Sequence, residues 1–156
     1  MKRFRKASFY GVEKMKEFER CLEERRLVSA SEPDGMIKKE MDSAHYDFAR
    51  AGESLEREDY KWASIQMYYS MFHSIKALIL KKGYREKSHY CLLVALRELY
   101  VETGELDIEY ADNFDMAMFV RKEADYAAVY DEESANILLT HAQAMIEKAK
   151  DILHIG

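Results

Sequence analysis

One proline, six glycines and two cysteines are all that this 156-residue chain carries of the residues that punctuate or staple a fold. A sandwich or barrel needs many tight reversals, so this shortage of turn-formers excludes most sheet-rich architectures and leaves long helices with short connections. Cys21 and Cys91 stand apart with no CxxC pair, and imply neither a dense disulfide framework nor a zinc–thiolate site. Long uncharged apolar runs are also missing. The most apolar stretch, residues 64–80, is too short to span a bilayer comfortably and contains Gln66, His73 and Lys76. Lys2, Arg3, Arg5 and Lys6 open the chain, but no apolar segment with a small-residue cleavage site follows them. The expectation is a soluble, cytoplasmic protein that does not engage a membrane. Walker-type and GxGxxG loops and a nucleophile elbow are absent too, which removes the common nucleotide folds and Ser/His/Asp hydrolysis.

What the chain does have is apolar residues at 48% and charged residues at 34%, arranged with helical spacing. The net charge of −5 is unevenly spread: residues 1–26 hold nine Lys/Arg against five Glu, and residues 60–90 hold six against Glu86 alone. Residues 91–135 reverse the sign, with twelve acids against Arg97, Arg121 and Lys122. Such asymmetry fits a solvated surface or the steering of a phosphate-bearing partner, and the acidic total argues against generic duplex binding.

Phe9 to Leu27 reads as a charged helix docked by a narrow stripe of Val12, Met15, Phe18 and Leu22, and Val28 to Gly35 as a break. Ile37, Met41, Ala44, Phe48, Ala51 and Leu55 then alternate at spacings of four and three, as a bundle seam does. The segment from about Asp59 to Lys82 is apolar nearly all round and should be the central helix, with Ala63, Ser70, Ser74 and Ala77 allowing close approach. Gly83 ends it. Ser88 looks like the N-cap of a helix reaching Tyr100, a fifth helix runs from about Asp107 to Tyr130, and Ala135 to Ile152 repeats the seam. These elements specify an all-α, up-and-down bundle of four to five core helices, residues 36–156, preceded by a helical extension and linker over residues 1–35.

Two constellations carry candidate chemistry. Arg121 and Asp125 lie one turn apart on an apolar stripe with Ala111, Phe114 and Met118, where a charged pair forms a structural bridge, an interface pair or a polar site. The turn holding Lys82, Arg85, Lys87, Ser88 and His89 gathers cations before a helix N-terminus and is a candidate phosphate site, although ordinary capping explains much of it. Metal chemistry fares worse. Glu86-x-x-His89 straddles a helix start, and Asp42-x-x-His45 and Asp151-x-x-His154 use the shorter acid, so the di-iron pattern fails and no metal or cofactor is expected. His73 beside Phe72 fits a hydrogen-bonded core histidine better than a catalyst.

Tyr68-Tyr69-Ser70-Met71-Phe72-His73-Ser74-Ile75-Lys76-Ala77-Leu78, then Lys82-Gly83, Lys87-Ser88-His89 and Arg121-Lys122-Glu123-Ala124-Asp125-Tyr126 together resemble a HEPN domain over residues 36 to 153. The resemblance implies a homodimeric helical bundle with a polar cleft at the Arg121 helix, where Asp125, Tyr126, Tyr69 and His73 join Arg121 as ligand or dimer-cleft residues. It further implies a minimal nucleotidyltransferase, a nucleotide or RNA as partner. Catalytic members of that family carry Arg, four to six residues, then His. Here those three places hold Tyr126, Ala127 and Ala128, and the next histidine is His141. A tyrosine is a poor general base near neutral pH. The expectation is therefore a non-catalytic, toxin–antitoxin-like binding protein, with a metal-independent ribonuclease toxin and a plain dimerisation scaffold as the alternatives.

Overall fold

The computed structural model describes residues 16–31, 34–127 and 130–156, with backbone alone for residues 34 and 123–127. Helix α1 covers residues 16–23, and a short strand β1 follows at Leu27–Ser29. Then come α2 (Asp34–Glu56), α3 (Tyr60–Lys81), strand β2 (Tyr84–Glu86), α4 (His89–Leu96), α5 (Ile108–Ala127) and α6 (Glu132–Leu153). The molecule is an all-α bundle with one two-stranded ribbon.

Helix α3 is the axis. Met67, Tyr68, Met71, Ile75, Leu78 and Ile79 are all at most 1% exposed, which is why the sequence is apolar on every side there. The small residues act as expected: Ser70 is buried and donates its hydroxyl to the carbonyl of Ala44 on α2 at 2.8 Å. Helices α2 and α6 make the largest contacts with α3, and both present alanines, Ala44 and Ala51 from α2 and Ala135, Ala142 and Ala149 from α6. Helices α4 and α5 close the opposite side, where Phe114 stacks on Tyr68 with centroids 5.5 Å apart.

Helix ends follow local chemistry. Asp59, Ser88 and Asp131 each accept a backbone N–H of the first turn they precede, satisfying a donor that the helix itself cannot. After Lys82, Gly83 takes φ +88°, a conformation costly for any residue with a Cβ, and lets the chain reverse into β2.

Three features depart from the sequence expectation. Helix α4 does not run regularly to Tyr100. From Arg97 to Val101 it widens into a π-helical turn that buries Tyr100, whose hydroxyl donates to the Leu78 carbonyl. The expected break after Leu27 begins as β1, antiparallel to β2 with Leu27 opposite Glu86 and Ser29 opposite Tyr84. Finally, Cys21 and Cys91 are not unpaired: a disulfide joins α1 to α4, with Cα atoms 5.8 Å apart. Seventy residues separate them in the chain, so no local spacing announces the pairing. Cross-linking a loop of that length restricts the unfolded chain by about 4 kcal/mol on the chain-entropy account.

Candidate functional site

Helix α3 sets the site because its one-turn spacing aligns Tyr69, Phe72, His73 and Lys76 along a single face. Tyr68 is turned a little further round, fully buried, with its ring stacked on Phe114 of α5 and nearly coplanar with the imidazole of His89 at the start of α4. Its hydroxyl and His89 Nδ1 are 2.6 Å apart. From α5, the half-buried Arg121 brings its guanidinium carbon to 5.2 Å from the centroids of both the Tyr68 and the Tyr69 rings. A cation over two π faces is held by their quadrupoles, roughly 0.5–1 kcal/mol for each exposed contact and more where water is excluded. The planar fork of guanidinium N–H donors is a group suited to a phosphate or carboxylate.

Burial holds the Tyr68 hydroxyl well above the ordinary tyrosine range, against the opposing pull of the Arg121 charge, so it stays a phenol. The same burial, reinforced by the positive charges of Arg121 and Lys76, pushes His89 below the usual histidine value and favours neutral imidazole. Phe72 packs against that imidazole at 4.4 Å between centroids.

A chain of polar and charged side chains forms the wall toward α2. His73 Nδ1 lies 2.6 Å from Glu40 and its Nε2 lies 3.6 Å from Asp47. Lys76 bridges Glu40 at 3.4 Å and Glu86 of β2 at 3.2 Å. Burial alone would raise the Glu40 carboxyl, but the His73 hydrogen bond and the Lys76 charge together outweigh it and hold the group below the ordinary glutamate value. Asp47 goes the other way, raised by burial that the more distant His73 only partly offsets.

The two constellations seen in the sequence thus partly merge. Arg121, Tyr69 and His73 come together, and His89 leaves the basic turn to join them. The rest of that turn is engaged elsewhere or exposed. Lys82 bonds Glu105 at 2.7 Å and lies over the Tyr100 ring, Ser88 caps α4, and Arg85 and Lys87 are exposed. The side chains of Asp125 and Tyr126 lie outside the described residues. Sequence reasoning left Tyr68, Glu40, Asp47, Lys76 and Glu86 out of the candidate site. The signal for Tyr68 was present, a tyrosine in the middle of the buried helix that must find a partner for its hydroxyl. Among the described residues, no group of three or more His, Cys, Asp and Glu side chains is placed to hold a metal ion.

Residues 37–153 match the HEPN domain family, three quarters of the sequence and every residue of the site just described. The chain belongs to the HEPN family. Among curated relatives, two proteins of Methanocaldococcus jannaschii bear the name "Putative toxin". One is 35% identical over 66% of this chain and 72% of its own length, the other 28% identical over 63% and 74%. A UPF0332 protein of Archaeoglobus fulgidus is 31% identical over 56% of this chain and 70% of its own. The HEPN match begins inside α2, so α1 and β1 are additions in front of it. No helix among the described residues is long and apolar enough to cross a membrane.

Proposed function

We propose that this HEPN protein is a toxin-like binding module that grips a phosphate of RNA or of a nucleotide with Arg121. The carrying observation is the guanidinium set 5.2 Å from two tyrosine rings, at a half-buried site with an imidazole held toward its neutral form in the same aromatic group. Tyr69, half-buried beside it, supplies an aromatic ring for a base to stack on. The two relatives named as toxins support the toxin-like part of the reading. The test is titration of a labelled single-stranded oligoribonucleotide and of a fluorescent nucleotide into wild type and Arg121→Ala. Absence of saturable binding to either would leave only the scaffold alternative.

Two copies form the working unit in this proposal, and a minimal nucleotidyltransferase is the protein partner that the family resemblance suggests, both in the cytoplasm. Ile108, Met116 and Phe119 on α5 are between 45% and 62% exposed and form, with Asp112 and Asp115 between them, a mixed stripe that a second copy would cover. That stripe lies across the helix from Arg121, so each arginine is held by the tyrosines of its own protomer. Light scattering on the purified protein tests the dimer, and co-expression with a nucleotidyltransferase encoded next to it tests the partner.

A second reading, the metal-independent ribonuclease, gains one specific observation. Helix α5 lacks the histidine of the family's motif, but α4 brings His89 to the same aromatic group, and an imidazole held neutral can accept a proton. Incubation with RNA in EDTA decides it. Cleavage lost in both Arg121→Ala and His89→Gln supports the enzyme, and intact RNA supports the binding module.

A further inference from the structure

Helix α4 has eight residues, and its first turn is fastened at one point from two sides: the Cys91 backbone N–H donates to Ser88 Oγ at 3.3 Å, and the Cys91 sulfur is bonded to Cys21 of α1. His89 sits two residues ahead of that point and Tyr90 between them, with the Tyr90 hydroxyl donating to Glu17 of α1 at 3.2 Å. Residues 16–31 are otherwise attached through the buried Leu27, through Phe18 and Leu22 packed against the core, and through backbone and edge contacts. Lys87 N–H donates to the Arg26 carbonyl at 2.7 Å, Ala30 N–H to the Gly83 carbonyl at 2.9 Å, β1 pairs with β2, and Phe18 meets Tyr84 edge-on. The disulfide is therefore the covalent one of two ties, with the Tyr90–Glu17 hydrogen bond, between α1 and the turn that carries His89.

That tie is reachable. Both sulfurs belong to side chains at most 4% exposed, yet they border a surface cavity of about 240 Å³ shared with Glu17, Arg20, Glu24, Arg26 and Tyr90. A disulfide in a protein proposed to work in a reducing compartment is under thermodynamic pressure to open.

We propose that the Cys21–Cys91 bond is a redox clamp on the Arg121 site: reduction removes the covalent tie between α1 and α4 and slackens the turn that holds His89 against Tyr68. The reductant is a dithiol. One of its thiolates attacks a sulfur of the pair and forms a mixed disulfide, and its second thiolate resolves that intermediate. Two electrons pass to the protein, which ends with two protonated thiols, and the dithiol ends as a disulfide. Loosening of α1 follows from loss of the bond and needs no ligand. The consequence for RNA or nucleotide affinity rests on the reading of the site proposed above.

The test uses the full chain with and without dithiothreitol, read by maleimide labelling, by hydrogen exchange and by titration of a labelled single-stranded oligoribonucleotide. Expected is no labelling before reduction and two thiols after it. Loss of exchange protection should follow in residues 16–23 and in the first turn of α4, with about tenfold weaker RNA binding as the site loses preorganisation. Cys21→Ser should show the reduced behaviour whether or not reductant is present. Should that variant fail to fold, a dithiothreitol titration of wild type supplies the same comparison. Two free thiols before reduction, or a first turn of α4 whose protection survives reduction, would overturn the clamp. If RNA binds equally in both redox states, the bond is a staple and not a control of the site. If neither RNA nor nucleotide binds in any state, the reading of the site fails, and the exchange of α4 still decides whether the clamp exists.

Discussion

Tyr68 and His89 share a 2.6 Å hydrogen bond across two helices, so the ring orientation of a half-buried histidine is governed by a phenol that has no exposure at all. Tyr68→Phe keeps the ring that supports Arg121 and removes only the hydroxyl. The expected cost is about 1–2 kcal/mol, because His89 Nδ1 is left without its partner in a partly dry site. Thermal denaturation checks the stability, and the imidazole resonances of His89 should broaden or shift as the ring gains freedom.

The depressed His89 value gives a signed pH dependence. Between its folded value and the ordinary 6.5, the unfolded chain holds the imidazole proton more readily than the folded one, so stability rises with pH through that window. Acidification below about 6.5 should therefore weaken the fold, and His89→Gln should flatten that part of the profile. Glu40 adds a separate loss further down. Its folded value is lowered, so its contribution is complete above 4.5 and disappears as pH falls through the folded value. Urea denaturation midpoints across the range separate the two steps.

Where a charge sits decides what it contributes. Lys38–Asp42 is a 2.7 Å pair with side chains 79% and 64% exposed, and Lys38→Ala should change stability by less than about 0.5 kcal/mol. Glu40 is 12% exposed at its side chain and serves both His73 and Lys76. Glu40→Gln should cost about 1–3 kcal/mol, since Lys76 then keeps only Glu86 and His73 loses a charged acceptor. Equal effects from the two substitutions, measured by denaturant unfolding, would contradict the network.

Gly83→Ala tests the turn that sets β2 and the entry to α4. An added Cβ would meet nothing nearer than the Ala30 carbonyl oxygen at 4.0 Å, so the expected penalty of about 1 kcal/mol arises from the positive φ and not from crowding.

Period and burial made the bundle legible. The seam from Ile37 to Leu55 and that from Ala135 to Ile152 are strictly local patterns, and the all-round apolar α3 could be satisfied only at the centre. The ribbon was invisible for the opposite reason: three-residue strands have no period to detect, and β1 and β2 pair across more than fifty residues. The site divided along the same line. Arg121 stood out as a charge on an apolar stripe, whereas His89 looked like part of a capped basic turn, and only the packing of α4 against α3 brings its ring to Tyr68. Glu40, Asp47 and Lys76 each look like ordinary surface charge in one dimension, because helix-to-helix partners 33 residues apart leave no mark on spacing.

The most direct measurement compares RNA binding by wild type, Arg121→Lys and Arg121→Ala, using fluorescence anisotropy with a labelled single-stranded oligoribonucleotide. The expected result is saturable binding by wild type and affinity at least about tenfold weaker in both variants, because an ammonium offers neither the delocalised charge that sits beside two tyrosines nor a planar fork. Wild-type affinity in Arg121→Ala, with the fold intact by circular dichroism, would contradict the account.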